Sequence, residues 1–221
     1  NVSEDWIAAF AQQVEVALST YHIQLLGGDT VAAPDKAMFS LTLMGEVATG
    51  GMIQRAGAKV GDDIFVTGTI GHGFIGLEDA KAGRLSPCRD LFEHPQPPLD
   101  FALAAAPYMS AAVDVSDGLL ADLGHVCDAS VCGMQIDMTA IPFADPAYED
   151  LMTQLNGGDD YQLAFTAPSE NHGKLKQFAA DQSIQLTKIG HIINRSELVL
   201  QDSGGATLKI LHGGTSAVLR S

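Results

Sequence analysis

The order of hydrophobic and polar residues predicts one helix and two strands in the first part of the chain. Four large apolar residues recur at a spacing of four, which predicts an amphipathic helix over residues 4–20 with Ser3 as its cap. These residues are Trp6, Phe10, Val14 and Leu18. The apolar run 22–26 predicts a short strand, and 38–47, where large apolar residues alternate with small polar ones, predicts a second.

The rest of the chain shows strand patterns interleaved with helix patterns. We predict strands at 64–68, 111–115, 134–138, 160–166, 187–193, 198–201 and 207–211. We predict helices at 74–82, 99–106, 118–129, 148–155 and around Gln177. Residues 53–63 read as a short helical turn and a loop, and the proline-rich stretch 86–98 reads as a connector.

Three short acidic stretches lie on glycine-bearing turns at the ends of apolar runs. They are 27–30 with Asp29, 114–118 with Asp114 and Asp117, and 157–161 with Asp159. Glycine permits sharp turns and close approach to a ligand, and clustered carboxylates without local cations favour a hard cation such as Mg²⁺. A simpler reading makes Ser116 or Asp117 only a helix N-cap, but it leaves Asp114 unexplained. The pattern therefore predicts metal-bridged phosphate chemistry.

Composition narrows the class of partner. The chain has 221 residues, 46% of them hydrophobic, so it can bury a substantial core. Its formal charge of -15 argues against nucleic acid or an anionic membrane as a partner, because both need clustered cations. No apolar run reaches the length of a membrane span, and the three cysteines form no paired motif. We therefore expect a cytoplasmic protein in which Cys127 and Cys132 are small buried hydrophobic residues.

Three further features need an interpretation. Residues 71–76 match the GxGxxG pattern, but no second strand ending in an acidic residue follows, so we reject a dinucleotide site. Arg55 is either a solvated charge or a guanidinium that contacts a nucleotide. His125 is interpreted as a structural residue on a helix face.

Five motifs, in this order, resemble the thiamine-monophosphate kinase family of the aminoimidazole-ribonucleotide synthetase-like superfamily. They are LGGDT at 26–30, RAGAKVGD at 55–62, VTGT at 66–69, DVSDGLLADLGH at 114–125 and GGDDYQL at 157–163. Single motifs of this kind occur across the superfamily, whereas all five in order are specific.

The resemblance implies an α/β fold of the α+β type, with two domains, mixed sheets and a first domain that is incomplete in this sequence. Residues 1–70 would be the remainder of an N-terminal, ATP- and magnesium-binding dimerisation domain, and 71–221 a C-terminal α/β domain. The implied protein is a homodimeric kinase that uses ATP and several Mg²⁺ ions to convert thiamine monophosphate to thiamine diphosphate.

The resemblance also assigns roles to individual residues. Asp29, Asp114 and Asp117 are similar to magnesium ligands, and Gly28, Asp29, Arg55 and Ser116 to ATP contacts. Asp159 falls where the family places a Glu on the thiamine phosphate side. We expect in-line transfer without a protein nucleophile, since phosphoryl transfer is catalysed mainly by positioning and charge neutralisation.

Departures from the family keep two alternatives open. The family has a further group of acidic turns before the position of Trp6, so the chain taken alone is expected to turn over weakly or not at all. The loop after Thr30 and the C-terminal aromatic residue have no clear counterparts. The alternatives are another ATP-dependent enzyme of the superfamily and a non-catalytic nucleotide-binding or dimerisation module.

Overall fold

The computed structural model describes residues 2–33, 36–195, 197–202, 204–210 and 219–220. Contacts within the chain divide it into two compact units, Asn1–Glu46 and Val47–Ser221. Among the described residues no helix is long and apolar enough to cross a membrane.

The first unit contains the predicted helix, α1, which spans Glu4–Thr20. The Ser3 side chain accepts a hydrogen bond from the backbone N–H of Trp6 at 3.2 Å, so the predicted cap is confirmed. Within this unit Trp6 and Phe10 stack with ring centroids 5.5 Å apart, and Phe39 lies 5.0 Å from Phe10. No described residue of the unit is buried, so its apolar side chains remain largely in contact with water.

The two strands predicted in this unit are wrong for the described chain. Residues 22–26 and 38–47 form no strand. Leu41 is 80% exposed, although its place in an alternating pattern predicts a covered sheet face. A strand needs hydrogen bonds from a neighbouring strand, and no described residue supplies them here.

The second unit is built on a mixed eight-stranded sheet in the order β2-β4-β1-β5-β3-β6-β7-β8. The strands are β1 (Asp63–Thr67), β2 (Ala111–Val115), β3 (Gly133–Asp137), β4 (Gln162–Ala167), β5 (Leu186–Ile193), β6 (Leu198–Gln201), β7 (Thr207–Ile210) and β8 (Leu219–Arg220). The β3–β6 pair is parallel and the other pairs are antiparallel. All seven strands predicted for this region are confirmed within two residues, apart from Leu211, which lies outside the described residues.

Six α-helices accompany this sheet in the described chain. They are α2 (His72–Lys81), α3 (Pro87–Glu93), α4 (Leu99–Ala105), α5 (Leu119–Ser130), α6 (Leu151–Asn156) and α7 (His172–Asp181). The connector predicted at 86–98 is corrected in part, because Ser86 caps α3 through the N–H of Arg89 and Pro87 suits its first position. The helical turn predicted within 53–63 is absent, since this segment has loop geometry up to β1.

Helices cover the sheet on two faces. Ile64 and Val66 of β1 lie in one buried cluster with α5, whereas Phe65 lies in a second cluster with Phe101 and Leu175. Successive residues of a strand point to opposite faces, so both faces of β1 are covered. The result is an α/β architecture, as predicted.

The boundary between the compact units falls earlier than residue 70. Strand β1 lies between β4 and β5 and pairs with both, so Asp63–Thr67 belongs to the sheet of the second unit. The division into domains 1–70 and 71–221 stays a prediction about the whole protein.

Two cysteines behave as the sequence predicts. Cys127 and Cys132 are free and buried. Burial raises the pKa of the Cys127 thiol to about 12, which leaves almost no thiolate at neutral pH.

Candidate active site

Two of the three acidic turns meet at one edge of the sheet. Strands β2 and β4 are antiparallel neighbours, with Val115 at the end of β2 opposite Gln162 at the start of β4. The loop that leaves β2, residues 116–118, therefore emerges beside the loop that enters β4, residues 157–161.

Hydrogen bonds join these two loops directly. The N–H of Asp159 donates to the Ser116 carbonyl at 2.9 Å, and the N–H of Tyr161 donates to the Val115 carbonyl at 2.8 Å. Gly158 has φ +69°, and a Cβ there would lie 2.5 Å from the Ser116 carbonyl oxygen. Only glycine allows this approach of one backbone to the other.

The second loop stores backbone strain on both sides of Asp160. Asp159 and Tyr161 have φ values of 58° and 48°, in the left-handed region that non-glycine residues seldom occupy. Such strain persists only where surrounding contacts hold it, and it is common at functional sites.

Asp122 holds the first loop from the helix that follows it. Its Oδ2 accepts hydrogen bonds from the backbone N–H groups of Ser116, Asp117 and Gly118 at 3.0, 3.1 and 3.2 Å. Burial raises the pKa of this carboxyl, nearby Asp117 and Asp114 add to the rise, and the N–H bonds partly offset it.

Arg55 and Asp114 line the same groove, which has a volume of about 570 Å³. The segment that carries Arg55 lies along edge strand β2, because the N–H of Ala112 donates to the Gln54 carbonyl at 3.0 Å. Ser130, at the end of α5, fixes the same segment: its hydroxyl accepts from the N–H groups of Gly57 and Ala58 and donates to the Arg55 carbonyl. The groove also contains Met52, Ile53, Gln54, Ala56, Ala112, Val113 and Leu163, so its walls are largely apolar.

The carboxylates of Asp159, Asp114 and Asp117 lie close enough to Tyr161 to affect its pKa. The Tyr161 hydroxyl donates to Asp159 Oδ1 at 3.1 Å. Burial raises the pKa of Tyr161, and the charges of Asp159, Asp114 and Asp117 raise it further. In the described parts of the chain, no ion pair joins a Lys, Arg or His to any of these three aspartates.

The donor atoms present suit a divalent cation. Asp117, Asp122 and His125 bring one potential ligand atom each to within 4.8 Å of one another. Mg²⁺ prefers oxygen ligands, which the two aspartates offer and His125 does not. The buried Asp122 already accepts three backbone hydrogen bonds, so Asp117 is the member of this group that suits the ion best. Uncompensated carboxylates on converging loops are the observation that fits a bound cation.

Gly28 and Asp29 lie in the first unit, and both are exposed. The Thr30 N–H donates to Asp29 Oδ1 at 2.8 Å. A Cβ at Gly28 would meet no described atom within 4 Å, so packing within the described chain does not require glycine there.

Sequence reasoning missed two buried aspartates that organise the site. In the sequence Asp122 is only one residue of a longer motif, and Asp160 is only the neighbour of Asp159. Asp160 is 1% exposed, and its carboxylate accepts hydrogen bonds from the N–H groups of Gly71 and Gly73 at 2.8 and 2.9 Å. An Asp within a glycine turn gives no sequence signal that separates a ligand from an internal acceptor, because both uses favour the same residue types.

The glycine pattern at 71–76 is not a dinucleotide motif, as expected. Strand β1, which precedes it, pairs antiparallel with both of its neighbours, so β1 and α2 do not form a parallel βαβ unit.

Known proteins match this chain over most of its length. Residues 59–203 match the family model for the C-terminal domain of AIR synthase related proteins. Thiamine-monophosphate kinase from Salmonella typhimurium is 36% identical over 206 residues, which cover 87% of this chain and 62% of that protein. The chain thus spans less than two thirds of the length of this relative.

Solved structures agree with the fold. The crystal structure of thiamine-monophosphate kinase from Stenotrophomonas maltophilia has a TM-score of 0.81 at 32% identity and covers 90% of this chain and 68% of that chain. AaThiL complexed with AMPPCP and TMP has a TM-score of 0.73 at 22% identity, covers 90% of this chain and 66% of that chain, and shows likeness of fold. The chain belongs to the AIR synthase related proteins and, among them, to the thiamine-monophosphate kinase family.

Proposed function

We propose that the protein containing this chain transfers the γ-phosphoryl group of ATP to thiamine monophosphate and forms thiamine diphosphate. One observation carries the proposal: two acidic loops are hydrogen-bonded together beside a groove that Arg55 and Asp114 line. Phosphoryl transfer between two anions relies on positioning and charge neutralisation, which a guanidinium and metal-binding carboxylates on rigid loops can supply.

ATP is the proposed phosphoryl donor, with Arg55, Ser116, Gly28 and Asp29 as its contacts. Arg55 is exposed at the groove, so its guanidinium is free to pair with phosphate oxygens in a bidentate manner. The fold of AaThiL, which is complexed with AMPPCP and TMP, is similar, and this supports a nucleotide as one ligand of this architecture.

Asp114 and Asp117 of the second unit would hold Mg²⁺, and Asp29 of the first unit is proposed as a further ligand on the family resemblance alone. Bound there, the metal would neutralise charge on the phosphoryl oxygens and so supply the electrostatic part of catalysis. The chain itself contributes the fixed loop: Asp122 and the Ser116–Asp159 hydrogen bond hold Asp117 and Ser116 in place before any ligand arrives.

Asp159 is the proposed contact to thiamine monophosphate. Its side chain is one methylene shorter than the family's Glu, and its carboxylate accepts a hydrogen bond from the Tyr161 hydroxyl. The Tyr161 hydroxyl therefore restrains the Asp159 carboxylate, which in this proposal contacts the acceptor.

We propose direct in-line attack by a phosphate oxygen of the acceptor, without a phosphorylated enzyme. In this mechanism the protein positions ATP and thiamine monophosphate and excludes side reactions, and no side chain acts as a nucleophile. Rapid-quench experiments with γ-labelled ATP should find label only in ATP and thiamine diphosphate. A phosphorylated protein that forms and decays at the turnover rate would contradict the mechanism.

A cytoplasmic homodimer completes the proposal. The family resemblance supports it, and analytical ultracentrifugation at several protein concentrations tests the dimer.

The activity is tested by incubating the protein that contains this chain, with its intact mass recorded, with Mg-ATP and thiamine monophosphate. Chromatography should show thiamine diphosphate and ADP in equal amounts. Other phosphate acceptors, tested one by one, should give no phosphorylated product. Product from another acceptor alone would assign a different enzyme of the superfamily, and nucleotide binding without product would assign a binding module.

A further inference from the structure

The start of helix α2 packs directly against the loop 157–161, which contains Asp159. Gly71 is the helix N-cap, with φ +95°, and the first turn contains His72 and Gly73. A Cβ at Gly73 would lie 2.4 Å from the Gly158 carbonyl oxygen and 2.5 Å from that of Asp159. Helix and loop are therefore in backbone contact, which any side chain at position 73 would separate.

A buried carboxylate ties this helix start to the loop. Asp160 Oδ2 accepts from the Gly71 N–H at 2.8 Å, and Oδ1 accepts from the Gly73 N–H at 2.9 Å. Nδ1 of the buried His72 lies 3.3 Å from Asp160 Oδ1 and 3.0 Å from the Thr69 carbonyl oxygen. The free N–H groups of a helix start commonly bind an external anion, but here the chain's own carboxylate occupies them.

The anchored residue lies between the two strained positions of the loop. Asp159 and Tyr161 flank Asp160 and have φ values of 58° and 48°. Their N–H groups bond to Ser116 and Val115, so the loop is held from the sheet side by these two bonds and from the helix side by Asp160. Left-handed residues relax when their neighbours are released, because that conformation is costly for side chains other than glycine.

We infer that Asp160, seated on the N–H groups of Gly71 and Gly73, is a positioning residue that holds Asp159 in the conformation needed for the phosphate acceptor. This inference rests on the proposed function, in which Asp159 contacts thiamine monophosphate. The inference also gives the glycine pattern at 71–76 a role, because the N–H groups of Gly71 and Gly73 bind the carboxylate of Asp160.

Gly73→Ala tests the inference sterically, and the chain offers a matched control. Gly73 and Gly173 are each the second residue of a ten-residue helix, but a Cβ at Gly173 would meet no described atom within 4 Å. Both substitutions change helix propensity alike, so the difference between them isolates the contact with the loop. We expect Gly73→Ala to raise the KM for thiamine monophosphate at least about tenfold, with the KM for ATP within about twofold, and Gly173→Ala to change neither.

Asp160→Asn tests the same link without added volume. The amide keeps one acceptor and turns an N–H₂ group toward one of the two backbone donors, so one hydrogen bond is lost. The control is Asp90→Asn, whose carboxylate is 80% exposed. We expect the same selective rise in the KM for thiamine monophosphate for Asp160→Asn alone.

Amide hydrogen exchange separates this inference from the proposed function. In Gly73→Ala and Asp160→Asn the N–H groups of Asp159 and Tyr161 should exchange at least about tenfold faster than in the wild type, and in the two controls at the wild-type rate. Unchanged exchange and unchanged KM values in folded variants would overturn the inference. If the wild type makes no thiamine diphosphate, the proposed function fails, and exchange alone decides whether Asp160 anchors the loop.

Discussion

The two compact units respond differently to similar hydrophobic patterns. In residues 47–221 the predicted strands pair into one sheet with buried clusters on both faces, whereas in residues 1–46 the helix forms and the predicted strands do not. A helix satisfies its hydrogen bonds within its own segment, but a strand depends on a second segment. An alternating pattern therefore predicts a strand only where a second segment is present to pair with it.

The largest expected effect separates the units by burial. Leu123 is fully buried in the second unit, whereas Leu41 in the first is 80% exposed. Leu123→Ala should lower the free energy of unfolding by about 2–5 kcal/mol, because it removes buried methyl groups and leaves a cavity. Leu41→Ala should change it by less than about 0.5 kcal/mol. Urea unfolding followed by circular dichroism measures both, and equal losses would show that residues 1–46 have a covered core.

The next effect separates a structural aspartate from an exposed one. Asp122→Ala should lower the free energy of unfolding by about 1–3 kcal/mol, because three backbone N–H groups lose their acceptor. Asp29→Ala, at an exposed site, should stay within about 0.5 kcal/mol. Thermal melts of both variants provide the measurement, and a stable Asp122→Ala protein would contradict the role given to this carboxylate.

Hydrogen exchange of segment 38–47 sharpens the comparison further. No described residue pairs with the backbone of 38–47, so pairing with a second chain would add protection to its amides. We expect protection of these amides to rise with protein concentration, in line with the proposed homodimer, while the amides of β1 stay protected throughout. Protection of 38–47 that is independent of concentration would contradict this expectation.

The smallest effect concerns thiol reactivity in the second unit. Cys127 and Cys132 are buried, and burial raises the pKa of both thiols, so both stay protonated and unreactive at neutral pH. A thiol reagent under native conditions should modify Cys88 alone, and all three cysteines after unfolding in urea. Rapid native labelling of Cys127 would show that the helix end opens.

The sequence predicted most of the second unit because local pattern and tertiary contact agree there. Strands Ala111–Val115 and Leu198–Gln201 form with the predicted limits, since each alternates or runs apolar between turn residues. Helix α3 is not predicted because Pro87 and the prolines at 95, 97 and 98 together read as a connector, although Pro87 is the first residue of the helix.

The candidate site was predictable only where its residues share a loop. The spacing of Asp114, Ser116 and Asp117 within the turn 114–118 predicts that they lie together at one site. The pairing with 157–161 and the roles of Asp122 and Asp160 come from contacts between segments far apart in the chain, which periodicity does not encode.

The central claim is that carboxylates on the joined loops of the second unit support phosphoryl transfer to thiamine monophosphate. The most direct test uses the protein that contains this chain and compares thiamine diphosphate formation by its wild type and by Asp114→Asn, with the melting temperature of each recorded. The account predicts product from the wild type and a loss of at least about 100-fold in kcat/KM for Asp114→Asn, with the melting temperature retained. Equal kcat/KM values, or no thiamine diphosphate from the wild type, would contradict it.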